Sequence, residues 1–147
     1  MRFIALTIMS LLLWTTAGSA LAEEKLSAVG IGVTNLEIST RFYTQTLGLE
    51  VLRTYELGYL NEIVLGHADT DHAVLVLMNW PNDKNRKYDG SNVKVVFNHP
   101  DAATVLNRAR ALGSTIDREA LPHPALNGTI IGLTRDPDNY VLEVIER

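Results

Sequence analysis

The sequence predicts an α+β chain built from two successive βαβββ-like units, and three observations support this. A short apolar segment, Ala28–Val33, leads into a helical pattern that stops at Leu47-Gly48. About 65 residues later a second apolar segment near Val93–Phe97 leads into a helical pattern that stops at Leu112-Gly113. Further strand-like segments follow each helical pattern. Internal repetition at a fixed offset constrains architecture more strongly than a single motif does.

The first unit is predicted from its alternating and helical patterns. Ala28–Val33 alternates as a strand does. Asn35 is an N-cap residue for a helix over Leu36–Leu47, and Gly48 is its stop signal. Three strands are predicted to follow the helix, at Leu49–Tyr55, Leu60–Gly66 and Ala73–Asn79.

The second unit follows a polar segment, Asn82–Gly90, which is predicted to be the linker. A strand is predicted near Asn92–Phe97, and Asp101 is predicted to cap a helix that runs to Leu112. Asp136–Asn139 has the composition of a tight turn and is assigned no chemistry. The remaining strands are predicted at Ser114–Arg118, Thr129–Thr134 and Tyr140–Glu146.

The N-terminal segment is predicted to be a secretory signal peptide, Met1–Ala22. It has a basic start, an apolar stretch over Phe3–Trp14 that is too short to span a bilayer, and the small-residue cleavage pattern Ala20-Leu21-Ala22. An uncleaved N-terminal anchor is the alternative. The prediction is therefore a protein secreted to the bacterial periplasm, with no membrane association after cleavage and a single domain over 23–147.

Composition excludes several classes of function. The mature chain would carry 12 basic and 17 acidic residues, so nothing favours nucleic acid, which normally requires a basic patch. The absence of cysteine excludes disulfides, thiolate metal ligands and cysteine nucleophiles. An exported domain without disulfides must depend on its apolar core, and 46% hydrophobic residues make such a core feasible.

Two segments carry a resemblance to a known family. They are Arg41–Leu49, which reads RFYTQTLGL, and Asp136–Glu143, which reads DPDNYVLE; Asn79-Trp80 followed by Asp83-Lys84 adds a third. On these residues the chain resembles the vicinal oxygen chelate superfamily, and within it the glyoxalase I (lactoylglutathione lyase) and bleomycin resistance-like proteins. The resemblance runs from about Ser27 to the C-terminus.

The resemblance implies a fold and a partner. It implies two βαβββ modules that form a curved mixed sheet around a pocket, commonly completed by a second subunit, so a homodimer is expected. The modules are expected at about 27–81 and 91–147, joined by the linker at about 82–90.

The resemblance also implies a metal site, and most of its residues are missing. In the family four side chains, one from each of four pocket-facing strands, hold one divalent metal. The matching positions here are Ala28, Val76, Asn92 (Lys94 if the gap is placed differently) and Glu143; glyoxalase I has histidine, glutamate and histidine at the first three. Octahedral sites of this kind need imidazole and carboxylate ligands. The sequence therefore predicts a degenerate site in which only Glu143 remains, and no cofactor, with Ni²⁺ or Zn²⁺ as the alternative.

Glu143 and Lys94 are the candidates for remaining polar chemistry. Glu143 alternates with apolar neighbours on its strand, so its carboxylate needs a partner if it is buried. We hypothesise that the Lys94 ammonium replaces the lost metal charge and pairs with Glu143. The alternatives are that Glu143 is a structural or edge residue and that Lys94 reaches solvent.

Other residues leave alternatives open. Asn79 and Trp80 match a stretch beside the glutathione-binding region of glyoxalase I and are candidate ligand contacts, or packing residues. The small residues Ala28, Gly30 and Gly32 indicate either close packing or a roomier pocket. The four histidines are predicted in loops, and a relocated metal site using His72 or His123 with Glu143 is a further alternative.

Three functions are consistent with these residues. The favoured interpretation is an exported glyoxalase-like domain that binds a small organic ligand without a tightly held metal. The first alternative is a metal-dependent lactoylglutathione lyase or related isomerase, with Glu143 as its catalytic residue. The second is a structural or interaction module whose pocket has closed.

Overall fold

The computed structural model describes residues 26–69 and 72–147, and each unit of the repeat is a four-stranded mixed sheet with one helix. The predicted signal peptide lies outside these ranges. No helix within them has the length and apolar character needed to cross a membrane. The first module contains β1 (Val29–Gly32), α1 (Leu36–Leu47), β2 (Glu50–Glu56), β3 (Asn61–Gly66) and β4 (Ala73–Asn79).

The second module repeats the same order of elements. Its sheet has the order β5-β8-β7-β6, which corresponds strand for strand to the order β1-β4-β3-β2 of the first sheet. In both sheets the first strand pairs in parallel with the last, and the other pairs are antiparallel. The elements are β5 (Lys94–His99), α2 (Ala102–Ala111), β6 (Ile116–Pro122), a short 3₁₀ helix (Pro124–Leu126), β7 (Ile130–Arg135) and β8 (Val141–Glu146).

The predicted α+β class and the paired modules are confirmed, with differences in detail. Within the described residues the eight strands form two separate sheets, so the curved sheet that the resemblance implies is present as two halves. The strand predicted from Ser114 begins at Ile116, because the Ser114 N–H still bonds to the Ala109 carbonyl at the end of α2. The strand predicted from Asn92 begins at Lys94, and the 3₁₀ helix was not predicted.

Capping residues explain where the helices begin and end. The Asn35 side chain accepts a hydrogen bond from the Ile38 N–H at 3.0 Å, and the Asp101 side chain accepts one from the Thr104 N–H at 2.8 Å. Each satisfies a backbone donor that has no partner inside its helix. Gly48 ends α1 in the left-handed conformation at φ 72°, which a residue without a side chain adopts readily.

One apolar core unites the two modules. Helices α1 and α2 contact each other, and each also packs on its own sheet. Buried side chains alternate along the strands, so the inner face of each sheet covers the helices and the opposite face points away. Burying each large aliphatic side chain of this kind contributes about 1.5–3 kcal/mol. The fully buried members include Val33, Tyr43, Leu75, Leu77, Val105, Leu142 and Val144.

The turn between β7 and β8 joins the second module to the first. The Asp136 carboxylate accepts hydrogen bonds from the Tyr43 hydroxyl of α1 at 2.8 Å and from the backbone N–H groups of Asp138 and Tyr140. The Asp138 carboxylate accepts one from the Thr34 N–H at 3.0 Å. Both aspartates are only 5% exposed. A segment predicted as a simple turn is therefore the polar junction between the modules.

Burial sets the ionisation of this junction. Desolvation raises the pKa of Asp136 to about 6, although the hydrogen bonds from Tyr43, Tyr140 and Asp138 act in the opposite direction. Burial and the neighbouring Asp136 also raise the pKa of Tyr43. Ionised Asp136 therefore lowers the free energy of unfolding at neutral pH.

We predict that Asp136 makes the protein less stable as pH rises. Because its folded pKa of about 6 lies above the ordinary aspartate value of 3.8, the folded state binds more protons between these values. Its contribution to the free energy of unfolding should fall by about 2 kcal/mol from pH 4 to pH 6 and level off above about pH 7. Urea unfolding across pH 4–8 should show this slope, and Asp136→Asn should remove it.

The matched control is Asp83→Asn, which removes an exposed carboxylate. This variant should keep the slope of the unchanged protein. An Asp136→Asn protein with an unaltered slope would contradict the assignment.

Candidate functional site

An ion pair connects β5, at the edge of the second sheet, to the neighbouring strand β8. β5 and β8 are parallel, with Lys94 opposite Val141, so Lys94 and Glu143 are diagonal neighbours. Leu142 and Val144 are fully buried on the helix side, and Glu143 therefore points the other way. The Lys94 Nζ donates to Glu143 Oε2 at 2.8 Å.

The pair is partly shielded from solvent. The Glu143 side chain is 16% exposed and the Lys94 side chain is 51% exposed. The carboxylate is thus held below the surface with its charge compensated, while the ammonium remains reachable by a ligand. The hypothesised contact between Lys94 and Glu143 is present, and of the two candidates for the third family position Lys94, rather than Asn92, is the one that reaches Glu143.

The other two family positions lie on the first sheet and are apolar. Val76 is in β4, in register with Gly30 on one side and Val64 on the other, and Ala28 directly precedes β1. Neither side chain has a donor atom for a metal. Among residues 26–69 and 72–147 no group of three or more His, Asp or Glu is arranged to hold a metal ion. These residues do not fit the divalent metal that the resemblance implies.

The remaining predicted ligand contacts lie apart from the ion pair. The Asn79 amide donates to the carbonyls of Val33 and Thr34, at 2.8 and 3.2 Å, and so ties the end of β4 to the start of α1. The Arg86 guanidinium stacks over the Trp80 ring, with its central carbon 3.9 Å from the ring centre. Both line a cleft of about 310 Å³ on the first module that includes neither Lys94 nor Glu143. Asn92 is exposed in the turn before β5.

The glycines of β1 are covered by other side chains. A Cβ atom added to Gly30 would lie 2.9 Å from the Met78 methyl group, and one added to Gly32 would lie 3.0 Å from the Tyr88 ring. A side chain at either position would therefore fit only if Met78 or Tyr88 moved. The structure therefore favours close packing over a roomier pocket at this strand.

A second cleft, of about 390 Å³, runs along β5 beside the ion pair. Its walls are mostly apolar, and Lys94 and Asn98 are polar residues along the β5 wall. Val29, Val74 and His67 of the first module form the opposite wall. An apolar cleft with a few polar groups is the usual form of a small-molecule site.

The histidines do not form a relocated metal site in the described residues. The His99 Nδ1 accepts a hydrogen bond from the Asp101 N–H at 3.0 Å and belongs to the start of α2. The His123 Nδ1 is buried without a hydrogen-bond partner, yet no cluster of ligating side chains surrounds it.

Sequence reasoning missed the role of Asp136 and Tyr43. One signal was available in the helix pattern: Tyr43 lies beside Phe42 on the buried face of α1, and a buried tyrosine hydroxyl normally has a partner. Its partner could not be identified, because it lies 93 residues away in a turn with ordinary turn composition.

Comparison with known proteins identifies the class to which this fold and site belong. The family model described as Glyoxalase/Bleomycin resistance protein/Dioxygenase superfamily matches residues 25–144, and the chain belongs to this superfamily. It is 35% identical over 120 residues to the lactoylglutathione lyase of Salmonella typhimurium, covering 78% of this chain and 86% of that protein. It is 34% identical over 122 residues to the lactoylglutathione lyase of Neisseria meningitidis, covering 78% and 85%.

Solved structures share the fold. Glyoxalase I from Zea mays superposes with a TM-score of 0.70 at 25% identity, covering 84% of this chain and 44% of the maize chain. The chain therefore spans less than half the length of the maize protein. TnmS3, an antibiotic binding protein from a Streptomyces species, superposes with a TM-score of 0.65 at 17% identity, covering 85% and 97%.

We predict a measurable coupling between Lys94 and Glu143. Because Glu143 is largely buried, the coupling energy from a cycle of Lys94→Met, Glu143→Gln and the double variant should be about 1 kcal/mol, at the upper end for partly exposed pairs. Urea unfolding at pH 7 measures each free energy.

The matched control is the pair Arg110 and Glu119, whose side chains are 45% and 61% exposed. The same cycle there should give a smaller coupling energy. No coupling at Lys94 and Glu143 would show that the 2.8 Å contact does not persist in solution. Equal values for the two pairs would show that the burial of Glu143 does not strengthen its pairing.

Proposed function

We propose that this protein binds a small organic ligand and does not hold the divalent metal expected of its family. The observation that carries the proposal is the 2.8 Å contact between the Lys94 ammonium and the Glu143 carboxylate. Glu143 is the only one of the four matched positions with an anionic side chain. In this proposal the ammonium supplies the positive charge that a metal supplies in the family.

Electrostatics supports the absence of a metal. A divalent ion at Glu143 has to displace the ammonium from the carboxylate and then lies close to a like charge. The apolar side chains at Ala28 and Val76 provide no compensating ligand. The cost of removing water from the ion would therefore not be recovered.

The cleft beside β5 is the proposed ligand site. Its volume of about 390 Å³ is near the lower end of the usual range for small-molecule sites. Val96 and Phe97 offer apolar contact area, and Lys94 offers a donor for an oxygen atom of the ligand. Binding in this mode needs no bond to be broken.

Two alternatives remain. The identity to lactoylglutathione lyases and the matching Glu143 favour a lyase whose metal site has been rebuilt. The packing of Met78 and Tyr88 over β1 favours a module whose pocket has closed. The proposed binding function differs from both in requiring an open cleft and no bound metal.

We predict that the purified protein retains less than one equivalent of metal. After incubation with Ni²⁺ or Zn²⁺ and dialysis, elemental analysis should find a substoichiometric amount, and an assay for lactoylglutathione lyase should give no turnover above the buffer. Stoichiometric metal together with turnover would establish the enzyme alternative.

A gain-of-binding variant is the matched control. Combining Ala28→His, Val76→Glu and Lys94→His restores the three residue types that the family places beside Glu143. This variant should retain more metal than the unchanged protein under the same dialysis. If both hold equal amounts, the side chains at these positions do not determine metal binding.

We further propose that the protein is exported and acts as a homodimer. The N-terminal pattern supports removal of Met1–Ala22. The four family positions are divided between two sheets of one chain, which supports completion of the pocket by a second copy. Exposed apolar residues on the strands, including Val51 at 47%, would then be covered.

One measurement tests both parts of this proposal. Native mass spectrometry of protein recovered from the periplasm of an expressing bacterium should give the mass of two chains that begin at Glu23. A monomer mass would contradict the dimer, and a chain that retains Met1 would contradict cleavage.

A further inference from the structure

A third cleft lies on the helix side of the molecule, away from the Lys94 and Glu143 pair. It has a volume of about 350 Å³. Three elements form it: one face of α1, the residues after α2, and the turn between β7 and β8. It therefore lies at the junction of the two modules, and it is independent of the proposed function.

Two guanidinium groups line this cleft. The guanidinium of Arg41 makes no hydrogen bond or ion pair within the described chain. The guanidinium of Arg135 is fixed by two contacts. Its Nε pairs with Asp117 Oδ2 at 2.5 Å, and its Nη1 donates to the Asn139 carbonyl at 3.1 Å. Its Nη2 has no acceptor among the described residues. The cleft thus offers one positioned and one unpaired guanidinium.

The rest of the wall combines apolar surface with hydroxyl groups. The residues are Ile38, Phe42, Leu112 and Pro137 on the apolar side, and Ser114 and Thr115 on the polar side. Guanidinium groups favour planar oxyanions, since their parallel N–H donors match the two oxygens of a carboxylate. Apolar walls of this extent favour a ligand with a hydrocarbon body.

Acidic residues near the cleft do not cancel its preference for an anionic ligand. Asp117 balances the charge of Arg135, and among the described residues no acidic side chain, Glu37 of α1 included, forms an ion pair with Arg41. Asp136 forms part of the wall, and its oxygens already accept hydrogen bonds from the Tyr43 hydroxyl and from two backbone N–H groups. These oxygens therefore keep their partners within the junction, while the carboxylate charge still lies beside the cleft.

We propose that this cleft binds a small organic carboxylate. The carboxylate contacts the guanidinium groups of Arg41 and Arg135, and the apolar body lies against Ile38, Phe42 and Leu112. The volume restricts the ligand to a free small molecule, such as a short-chain or single-ring acid.

The site should respond to pH through Asp136. The groups that face its carboxylate are Tyr43 of α1, and Asp138 and Tyr140 of the turn before β8. When Asp136 is protonated, a negative charge beside the bound carboxylate is removed. Affinity should therefore rise as pH falls through about 6.

The test is an NMR titration of the ¹⁵N-labelled protein with benzoate, which is ionised at pH 5.5 and at pH 8. Shifts should centre on α1 and on the turn at 135–139, with tighter binding at pH 5.5. Arg41→Gln should weaken binding about tenfold or more, the effect expected for one charge-assisted hydrogen bond. Asp136→Asn should make the affinity equal at the two pH values.

Three controls separate the outcomes. Arg86→Gln removes a guanidinium from the other arginine-lined cleft and should leave affinity unchanged. Lys94→Met should also leave benzoate affinity unchanged. Because Lys94 belongs to the other proposed ligand site, the two proposals can therefore fail independently. Benzyl alcohol, which is neutral, should bind at least tenfold more weakly than benzoate.

Three results overturn the proposal. They are shifts centred on Trp80 or Lys94, equal affinity for benzyl alcohol, and benzoate binding that Arg41→Gln does not weaken.

Discussion

The whole arrangement depends on the polar junction that holds the two modules together. The β7–β8 turn places the carboxylates of Asp136 and Asp138 against the first module, where they accept hydrogen bonds from Tyr43 and Thr34. Because each helix packs one face against its own sheet, the opposite face of each sheet is left for ligands or for a second chain. Burying a carboxylate costs free energy, but its directional hydrogen bonds favour the observed orientation of the modules.

The same electrostatic requirement explains the outer face of the second module. A carboxylate at the position of Glu143 has to be neutralised, since it is largely shielded from water. Relatives with a metal can meet this need with a divalent ion, and this chain meets it with a single ammonium 2.8 Å away. The two solutions exclude each other, because ammonium and metal ion compete for the same oxygen atoms. Lys94 therefore bears directly on the chemistry of this face, together with the apolar side chains at Ala28 and Val76.

Local signals in the sequence predicted most of the fold, and they failed where contacts are long-range. Asn35 and Gly48 bracket α1 by capping chemistry that acts within four residues, so its bounds were predicted correctly. Lys94 and Glu143 could be paired as a hypothesis because the resemblance placed both on one face. The partnership of Tyr43 with Asp136 spans 93 residues and left no local pattern. The cleft beside Arg41 was missed for the same reason, since three distant segments form it.

Family membership constrains this protein's scaffold more than its chemistry. The family resemblance rests largely on Arg41–Leu49 and Asp136–Glu143, and much of what these segments provide is the inter-module junction: Phe42, Tyr43 and Asp136 are core or junction residues. Selection for folding alone would preserve them. The positions that hold a metal in relatives lie elsewhere, on the outer faces, and can change without disturbing the junction. Identity near 35% is consequently compatible with either chemistry, and the side chains at Ala28, Val76 and Lys94 carry the more specific information.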